Sequence, residues 1–331
     1  MKRILIVKLS SLGDLFHALP TVRALKEGLD AKVDWATQPE YAELAHCFDD
    51  VEHVFPFPRR NLRTQAIPFF RQLREQRYDY VIDLQGLMKS AMVTAAARGG
   101  RKIGPSASRE GAHLLYHERS GRKNKERHAA EELLDVVRHL GLPVPTELPF
   151  PVTFPIHSGF GQGLHIALCP CSRATGKNWP ADRFIETAKD LLQHPGTVIH
   201  LVGSPVDRPL CEQIAASIGP SVQNHAGQTT LLELGGLLNE MDLLITVDSG
   251  PMHMAAAIGT PTLALFGPTS PLRTGPYGKQ HCVIESTFRP EKKTLSKKTR
   301  QTDMRYIKAL SVEEVTTTAR KMLTTATRET N

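Results

Sequence analysis

Two apolar runs joined through one polar turn constrain this chain more than any other feature. Asp242–Val247 (DLLITV) is an apolar run of strand length, the pattern of a parallel strand buried on both faces. The chain then turns through Asp248, Ser249 and Gly250, and Pro251 suits the first position of a helix. Gly259 followed by Thr260 and Pro261 is a helix stop, and a second apolar run, Thr262–Phe266, follows at once. The predicted unit is strand, tight turn, short helix, strand. Its turn sets backbone N–H groups of a helix N-terminus beside Ser249 and His253 at the carboxyl end of a sheet, which suits a phosphate-bearing ligand. Asp248 or Ser249 can equally be a plain helix cap, and His253 a satisfied surface residue. The stretch argues for a site only in company.

The same rhythm opens the chain. Ile4–Lys8 is predicted as the first strand and Leu9–Asp14 as its turn. Leu15–Leu29 carries apolar residues at helical spacing (Leu15, Leu19, Val22, Leu25, Leu29). Gly13 permits close backbone approach, and Asp14 lies at the start of the helix, where the dipole alone would favour a carboxylate. Further strands are expected at Lys32–Thr37, Val51–Phe57 and Tyr80–Leu84. Helices are expected at Phe69–Gln76 and His128–Leu140. A stretch rich in turn formers follows: Pro143, Pro145, Pro149, Pro151 and Pro155, then Gly159, Gly161 and Gly163. The alternation restarts at Leu164–Leu168, with a turn at Cys169–Trp179 holding Ser172, Arg173 and Lys177. A helix from Ala181, a strand at Thr197–Val202 and a turn through Gly203 and Asp207 come next. Helices at Pro209–Ile218 and Leu231–Asn239 lead back to the opening stretch, and Val312–Leu323 reads as a final helix.

A chain of 331 residues fits two domains of ~150 residues each, and the alternation makes both α/β. Residues 1–150 form the first, 151–163 a Pro/Gly-rich linker, 164–310 the second, and 311–331 a C-terminal helix and tail. G-x-G-x-x-G and G-x-x-x-x-G-K-[ST] are both absent, which argues against an NAD-linked oxidoreductase and a P-loop kinase. The five cysteines form no C-x-x-C pair, so a reducing cytosol without disulfides or a zinc site is inferred. The N-terminal apolar run is too short for a signal peptide and no run reaches membrane-span length, so a soluble or peripheral protein is expected. Net charge is +7, and between Val54 and Arg127 there are 16 Lys/Arg against 6 Asp/Glu. Such an excess is either a solvated face or a landing surface for a polyanion. Few aromatic residues interleave with it, so nucleic acid ranks low.

Two such domains are expected to present their carboxyl-end turns to a shared ligand. The first offers Asp14, a carboxylate able to take a proton. The second offers Ser172, Lys177, Asp207, Ser249, Gly250 and His253, an anion-holding wall. KLSSLGDLFHALP (Lys8–Pro20), DLQGLMKSA (Asp83–Ala91), SRATGKNWP (Ser172–Pro180), VDSGPMHMAAA (Val247–Ala257) and LFGPTSPLRTGPYG (Leu265–Gly278) occur in that order. The set resembles the lipopolysaccharide heptosyltransferases of glycosyltransferase family 9. The first two segments, with SREG at Ser108–Gly111, are most similar to the enzymes that add the first heptose.

The resemblance implies a GT-B fold of two Rossmann-like doubly wound domains facing each other across a cleft. It implies an inverting transfer of heptose from ADP-L-glycero-D-manno-heptose to Kdo of Kdo-lipid A, needing no cofactor and no metal. The absence of a D-x-D sequence agrees with the latter. By analogy Asp14 is the general base and Lys177 neutralises the departing diphosphate. Ser172, Arg173, Asp207, Thr229, Asp248, Ser249, Gly250 and His253 bind the donor. Ser10, Ser11, Gly13, Arg59, Arg60, Arg63, Gln85, Lys89 and Arg109 bind the acidic lipid-linked acceptor, and Arg101 joins that basic group. The protein is expected in the cytoplasm, as a monomer, in transient contact with the inner face of the inner membrane. A relative adding a later heptose or another sugar, a non-catalytic nucleotide-sugar-binding protein, and a GT-B epimerase are the alternatives.

Overall fold

The computed structural model describes residues 1–124, 126–157, 159–288 and 302–329, with side chains as far as 324. The basic residues Lys292, Lys293, Lys297, Lys298 and Arg300 lie outside the described residues. The chain divides into two compact units, Met1–Thr153 and Phe154–Asn331.

The first unit is built on six parallel strands: β1 (Lys2–Val7), β2 (Ala31–Thr37), β3 (Val51–Pro56), β4 (Tyr78–Asp83), β5 (Gly99–Pro105) and β6 (Glu118–Ser120), in the order β3-β2-β1-β4-β5-β6. Ile4, Leu5, Ile6 and Val7 are wholly buried, as a central strand covered on both faces must be. Helix α1 (Leu12–Leu29) is apolar on nearly every side and follows β1; α2 is Ala42–Ala45, α3 Leu62–Leu73 and α4 Met88–Ala96. Helix α3 begins at Leu62, about two turns before the predicted Phe69, with Pro68 inside it. The helix predicted over His128–Leu140 is two short ones, α5 (Ala129–Leu133) and α6 (Asp135–His139). Leu134 has ψ −6°, too flat to continue the ladder, yet the Arg138 amide still bonds the Leu134 carbonyl (3.1 Å), so the path carries on. Residues 151–153 close the unit against Cys47–Asp49.

The second unit repeats the plan. Strands β7 (Leu164–Cys169), β8 (Thr197–Leu201), β9 (Val222–Asn224), β10 (Leu243–Val247), β11 (Thr262–Phe266) and β12 (Cys282–Glu285) run parallel in the order β12-β11-β10-β7-β8-β9. Both sheets thus reverse winding direction beside their first strand, between β1 and β4 and between β7 and β10. Helices α7 (Ala181–Leu191), α8 (Arg208–Ile218), α9 (Leu231–Asn239), α10 (Gly250–Ile258) and α11 (Pro271–Thr274) connect the strands. Pro251 takes the second helical position of α10, with Gly250 first. The C-terminal helix Val312–Glu329 packs on α7, and its Val315 and Ala319 share one buried cluster with Phe184, Ile199, Leu243 and Ile307. Each unit is thus a six-stranded parallel sheet with helices between its strands, the doubly wound α/β plan that the sequence implied for both domains.

The segment that opens the second unit is docked rather than loose. A Cβ at Gly235 would come within 2.2 Å of the Phe154 ring, and one at Gly236 within 2.3 Å of the Pro155 carbonyl oxygen. Further on, Phe160 covers a row of imidazoles, 5.2 Å from His165 and 4.4 Å from His200 between ring centres. The rings are linked in series, His165 Nδ1 to His200 Nε2 (3.0 Å) and His200 Nδ1 to His225 Nε2 (3.1 Å), while His165 Nε2 bonds the Gly161 carbonyl (2.9 Å). Burial, then the neighbouring His225, His165 and His157, push His200 down to about 3, and burial likewise lowers His225.

Because the Pro155 oxygen is backbone, it cannot swing aside. Gly236→Ala should therefore lower unfolding free energy by about 1–3 kcal/mol in denaturant melts, although alanine is the better helix former by ~1 kcal/mol. The imidazole row predicts a pH dependence. Imidazoles held neutral in the fold take protons more readily once unfolded, so stability is full above about 6.5 and declines as pH falls towards about 3. Denaturant melts between pH 4 and pH 7 should show this slope, and His200→Asn should reduce it by up to one proton, ~1.4 kcal/mol per pH unit.

Candidate functional site

In an open parallel sheet the crevice for a ligand lies at the strands' carboxyl ends, where the winding reverses. In the second unit that point is flanked by the turns after β7 and β10, which carry most of the predicted donor-side residues.

After β7 the chain passes Cys169 and Cys171, both buried, and forms a compact loop. Asn178 Oδ1 accepts from the Ser172 amide (2.8 Å) and hydroxyl (2.9 Å), and the Ser172 hydroxyl also reaches the Ala174 carbonyl (2.9 Å). A 3-10 turn at Thr175–Lys177 then aims Lys177 at the end of β10, where its ammonium donates to Asp248 Oδ2 at 2.7 Å. The Thr269 hydroxyl donates to that same oxygen, also at 2.7 Å. Asp248 is nearly buried, its side chain 9% exposed against 21% for Lys177. A lysine ammonium carries three N–H donors, so the Asp248 bond fixes its position without exhausting it.

Ser249 caps α10 with extended backbone, and its hydroxyl lies 3.2 Å from Thr246 Oγ1 and 3.6 Å from Cys169 Sγ. Gly250 is the first residue of the helix, and its lack of a side chain leaves the amide end open to approach. His253, half-buried, is on the first turn of the same helix. Arg173 is exposed at the rim of the β7 loop. Asp207 precedes α8, and its Oδ2 accepts from the Ser204 amide (2.8 Å) and hydroxyl (2.6 Å), so this carboxylate braces the turn that carries it. Thr229 is one residue before the Thr230 cap of α9. The structure thus brings Lys177, Asp248, Ser249 and Gly250 into one bonded group, with Ser172 on the same loop as Lys177.

The first unit answers with the turns after β1 and β4. Ser11 caps α1, and Asp14 Oδ2 accepts from the Ser11 amide (3.0 Å) and hydroxyl (2.7 Å). Asp14 thus completes a capping box at the start of α1, beyond the dipole preference read from the sequence, and these bonds hold the half-buried carboxylate at the helix entrance. Gly13 is buried beneath it, and Ser10 precedes the cap. Gln85, on the turn after β4, presents Oε1 to the Leu9 and Ser10 amides (3.1 Å each). Beneath it, Asp83 is fully enclosed and accepts from the amides of Gln85 (2.7 Å) and Gly86 (2.9 Å) and from the Tyr116 hydroxyl (2.8 Å). Burial pushes the Asp83 carboxyl up, and these hydrogen bonds with that of Ser90 oppose the rise.

The basic residues divide. Arg59, Arg60 and Arg63 follow β3 and are exposed, Arg60 with only a loose pairing to Glu40 at 3.7 Å. Lys89 is exposed on the first turn of α4, and the Arg109 backbone is tied to the Gly86 carbonyl (2.9 Å). Arg101, also exposed, differs in being closely paired. It sits inside β5 with its fork on Glu118, both bonds 2.6 Å, and Glu118 is held down at about 2.

Sequence reading passed over Thr269, Asn178, Asp83 and Tyr116, the side chains that hold the named ones in place. Thr269, Asn178 and Asp83 lay inside the family-like segments without being singled out, and Tyr116 lay outside them all. Among the described residues, no group of three or more His, Cys, Asp or Glu could hold a metal ion, and no helix is long and apolar enough to cross a membrane.

Comparison with known proteins agrees with the geometry. Residues 67–304 match the family model described as glycosyltransferase family 9 (heptosyltransferase). Lipopolysaccharide heptosyltransferase 1 of Escherichia coli is 28% identical, over 86% of this chain and 93% of its own. Lipopolysaccharide heptosyltransferase 3 of the same species is 23% identical, over 94% and 95%. The solved structure of the E. coli heptosyltransferase WaaC with ADP superimposes with a TM-score of 0.81 at 26% identity, covering 97% of this chain and 99% of that one. With the paired lysine, the capped carboxylate and two reversing parallel sheets already in view, the conclusion is direct: this chain belongs to glycosyltransferase family 9, the heptosyltransferases, and is a glycosyltransferase enzyme.

Proposed function

We propose that this enzyme adds the first heptose of the lipopolysaccharide inner core, moving L-glycero-D-manno-heptose from ADP-heptose to Kdo of Kdo-lipid A. One observation carries the donor side: the Lys177 ammonium, oriented by Asp248 at 2.7 Å, is tied to the residue that leads into the open N-terminus of α10. A fixed cation and helix amides suit the diphosphate of a nucleotide sugar, whose leaving charge grows as the sugar departs. Ser172, Arg173, Asp207, Thr229, Ser249 and His253 complete the donor-binding set.

In the proposed step Asp14 accepts the proton of the acceptor hydroxyl as its oxygen attacks the anomeric carbon from the face opposite the diphosphate. The carbon–oxygen bond to ADP breaks in the same displacement, with inversion and no metal. Two hydrogen bonds from Ser11 already orient the carboxylate for that task. The exposed Arg59, Arg60, Arg63, Lys89 and Arg109 would meet the carboxylates and phosphates of the acceptor. A polyanionic lipid substrate accounts for a peripheral position at the cytoplasmic face of the inner membrane, where the enzyme would act as a monomer. Because heptosyltransferase 3 also matches across nearly the whole chain, addition of a later heptose is the second reading.

The deciding experiment supplies ADP-heptose with Kdo-lipid A or with an already heptosylated core, in chelator, and detects addition by mass. One heptose added to the first acceptor only is expected; transfer to the second alone would favour the later step. Asp14→Asn should retain donor affinity and lose transfer by about 10²–10⁴-fold, and full turnover would remove Asp14 from the mechanism. Lys177→Met should lower kcat by about 10²–10³-fold. Thr269→Val should lower it less, by roughly tenfold, with Thr269→Ser near the parent.

A further inference from the structure

The clamp on the β1 turn is built from a residue that the sequence assigned to the acceptor. Two backbone N–H groups, Leu9 and Ser10, converge on the end of the Gln85 side chain, and only an oxygen can accept from both. Gln85 is itself fixed from below. Its own amide and that of Gly86 bond Asp83 Oδ1, while the Tyr116 hydroxyl bonds Asp83 Oδ2 from the far side of β5. Tyr116 reaches that place because residue 104 is glycine, since a Cβ there would meet the ring at 2.2 Å. The buried Lys8 ammonium adds a bond to the Leu84 carbonyl (2.8 Å), fastening the two turns a second time.

We infer that Gln85 is a positioning residue: through its Oε1 the enclosed Tyr116–Asp83 pair sets the Leu9–Ser11 turn and hence the place of Asp14. The inference rests on the reading of Asp14 as the base. The order of bonds is continuous, from Tyr116 to Asp83, to Gln85, to Ser10, and through Ser11 to the Asp14 carboxylate. An unclamped turn would let the carboxylate wander by a fraction of an ångström to an ångström, enough to slow proton abstraction on the order of tenfold or more. Acceptor affinity, in contrast, would stay nearly unchanged.

The test compares Gln85→Met, which removes the oxygen at similar length, with Gln85→Glu, which keeps an acceptor and removes the side-chain N–H₂. The readouts are kcat and acceptor KM, and hydrogen exchange of the Leu9 and Ser10 amides in the substrate-free protein. Gln85→Met should exchange these amides about tenfold faster and lower kcat about tenfold, with acceptor KM within about twofold. Gln85→Glu, which keeps an accepting oxygen, should restore the protection. Unchanged protection in Gln85→Met overturns the inference, as does a rise confined to acceptor KM, or a Gln85→Glu whose Leu9 and Ser10 amides exchange as fast as those of Gln85→Met. Exchange reads the clamp whether or not Asp14 is the base, whereas turnover of Asp14→Asn reads the base whether or not the clamp exists, so the two failures are distinguishable.

Discussion

A strand covered on both faces can meet a ligand only at its ends, and that constraint orders everything else in this protein. β1 is buried from Ile4 onward and β10 along its whole length, so a ligand can be met only by the few residues that follow each strand. The reversal of winding beside β1 and beside β7 then decides which of those turns have room for a substrate. Helix N-termini at the same edge supply oriented amides, and side chains only need to add charge. In the proposed reaction the Asp14 carboxylate and the Lys177 ammonium are such additions, each held by partners from its own unit.

The support of these charges is as informative as the charges themselves. Lys177 and Asp248 form a partly enclosed ion pair, and such pairs are weak evidence for stability, because desolvation offsets most of the attraction. What the pair does supply is geometry. With Thr269 sharing the same carboxylate oxygen, Asp248 has few orientations available, and the ammonium inherits that restriction. Asn178 does likewise for Ser172. A diphosphate arriving at this edge would meet donors that need little rearrangement, the condition under which fixed charges contribute most to catalysis.

How much of this could be read from residue order follows from where each signal originates. The strands at the middle of each sheet were legible because burial on both faces writes a run of apolar residues into the chain, whereas the internal strand β5 (GGRKIGP) carries no such run and was missed; Thr262–Phe266 and Leu231–Asn239 match their predicted spans residue for residue. The edge strands Glu118–Ser120, Val222–Asn224 and Cys282–Glu285 were not, since one neighbour's hydrogen bonds hold them and their own side chains stay partly wet. α3 and the α5–α6 pair show the weaker grip of periodicity on helix ends. Site residues on sharp turns stood out by type, whereas Tyr116, 33 residues from Asp83, and Thr269, 21 from Asp248, act through contacts that only folding creates.

One such contact ties the far end of the chain to the loop that carries Lys177. Trp179, two residues after Lys177, is buried and sends its indole N–H to the Leu310 carbonyl at 3.2 Å, while Arg183 bonds the carbonyls of Lys308 and Leu310. Ile307 and Leu310 lie in the same apolar cluster as the Trp179 ring. The C-terminal helices are thus a keystone wedged under the loop that holds the lysine. Cutting the polypeptide ahead of Tyr306, or splicing a bulky cargo there, would unseat the Lys177 loop from below while leaving every residue of the proposed site in the sequence.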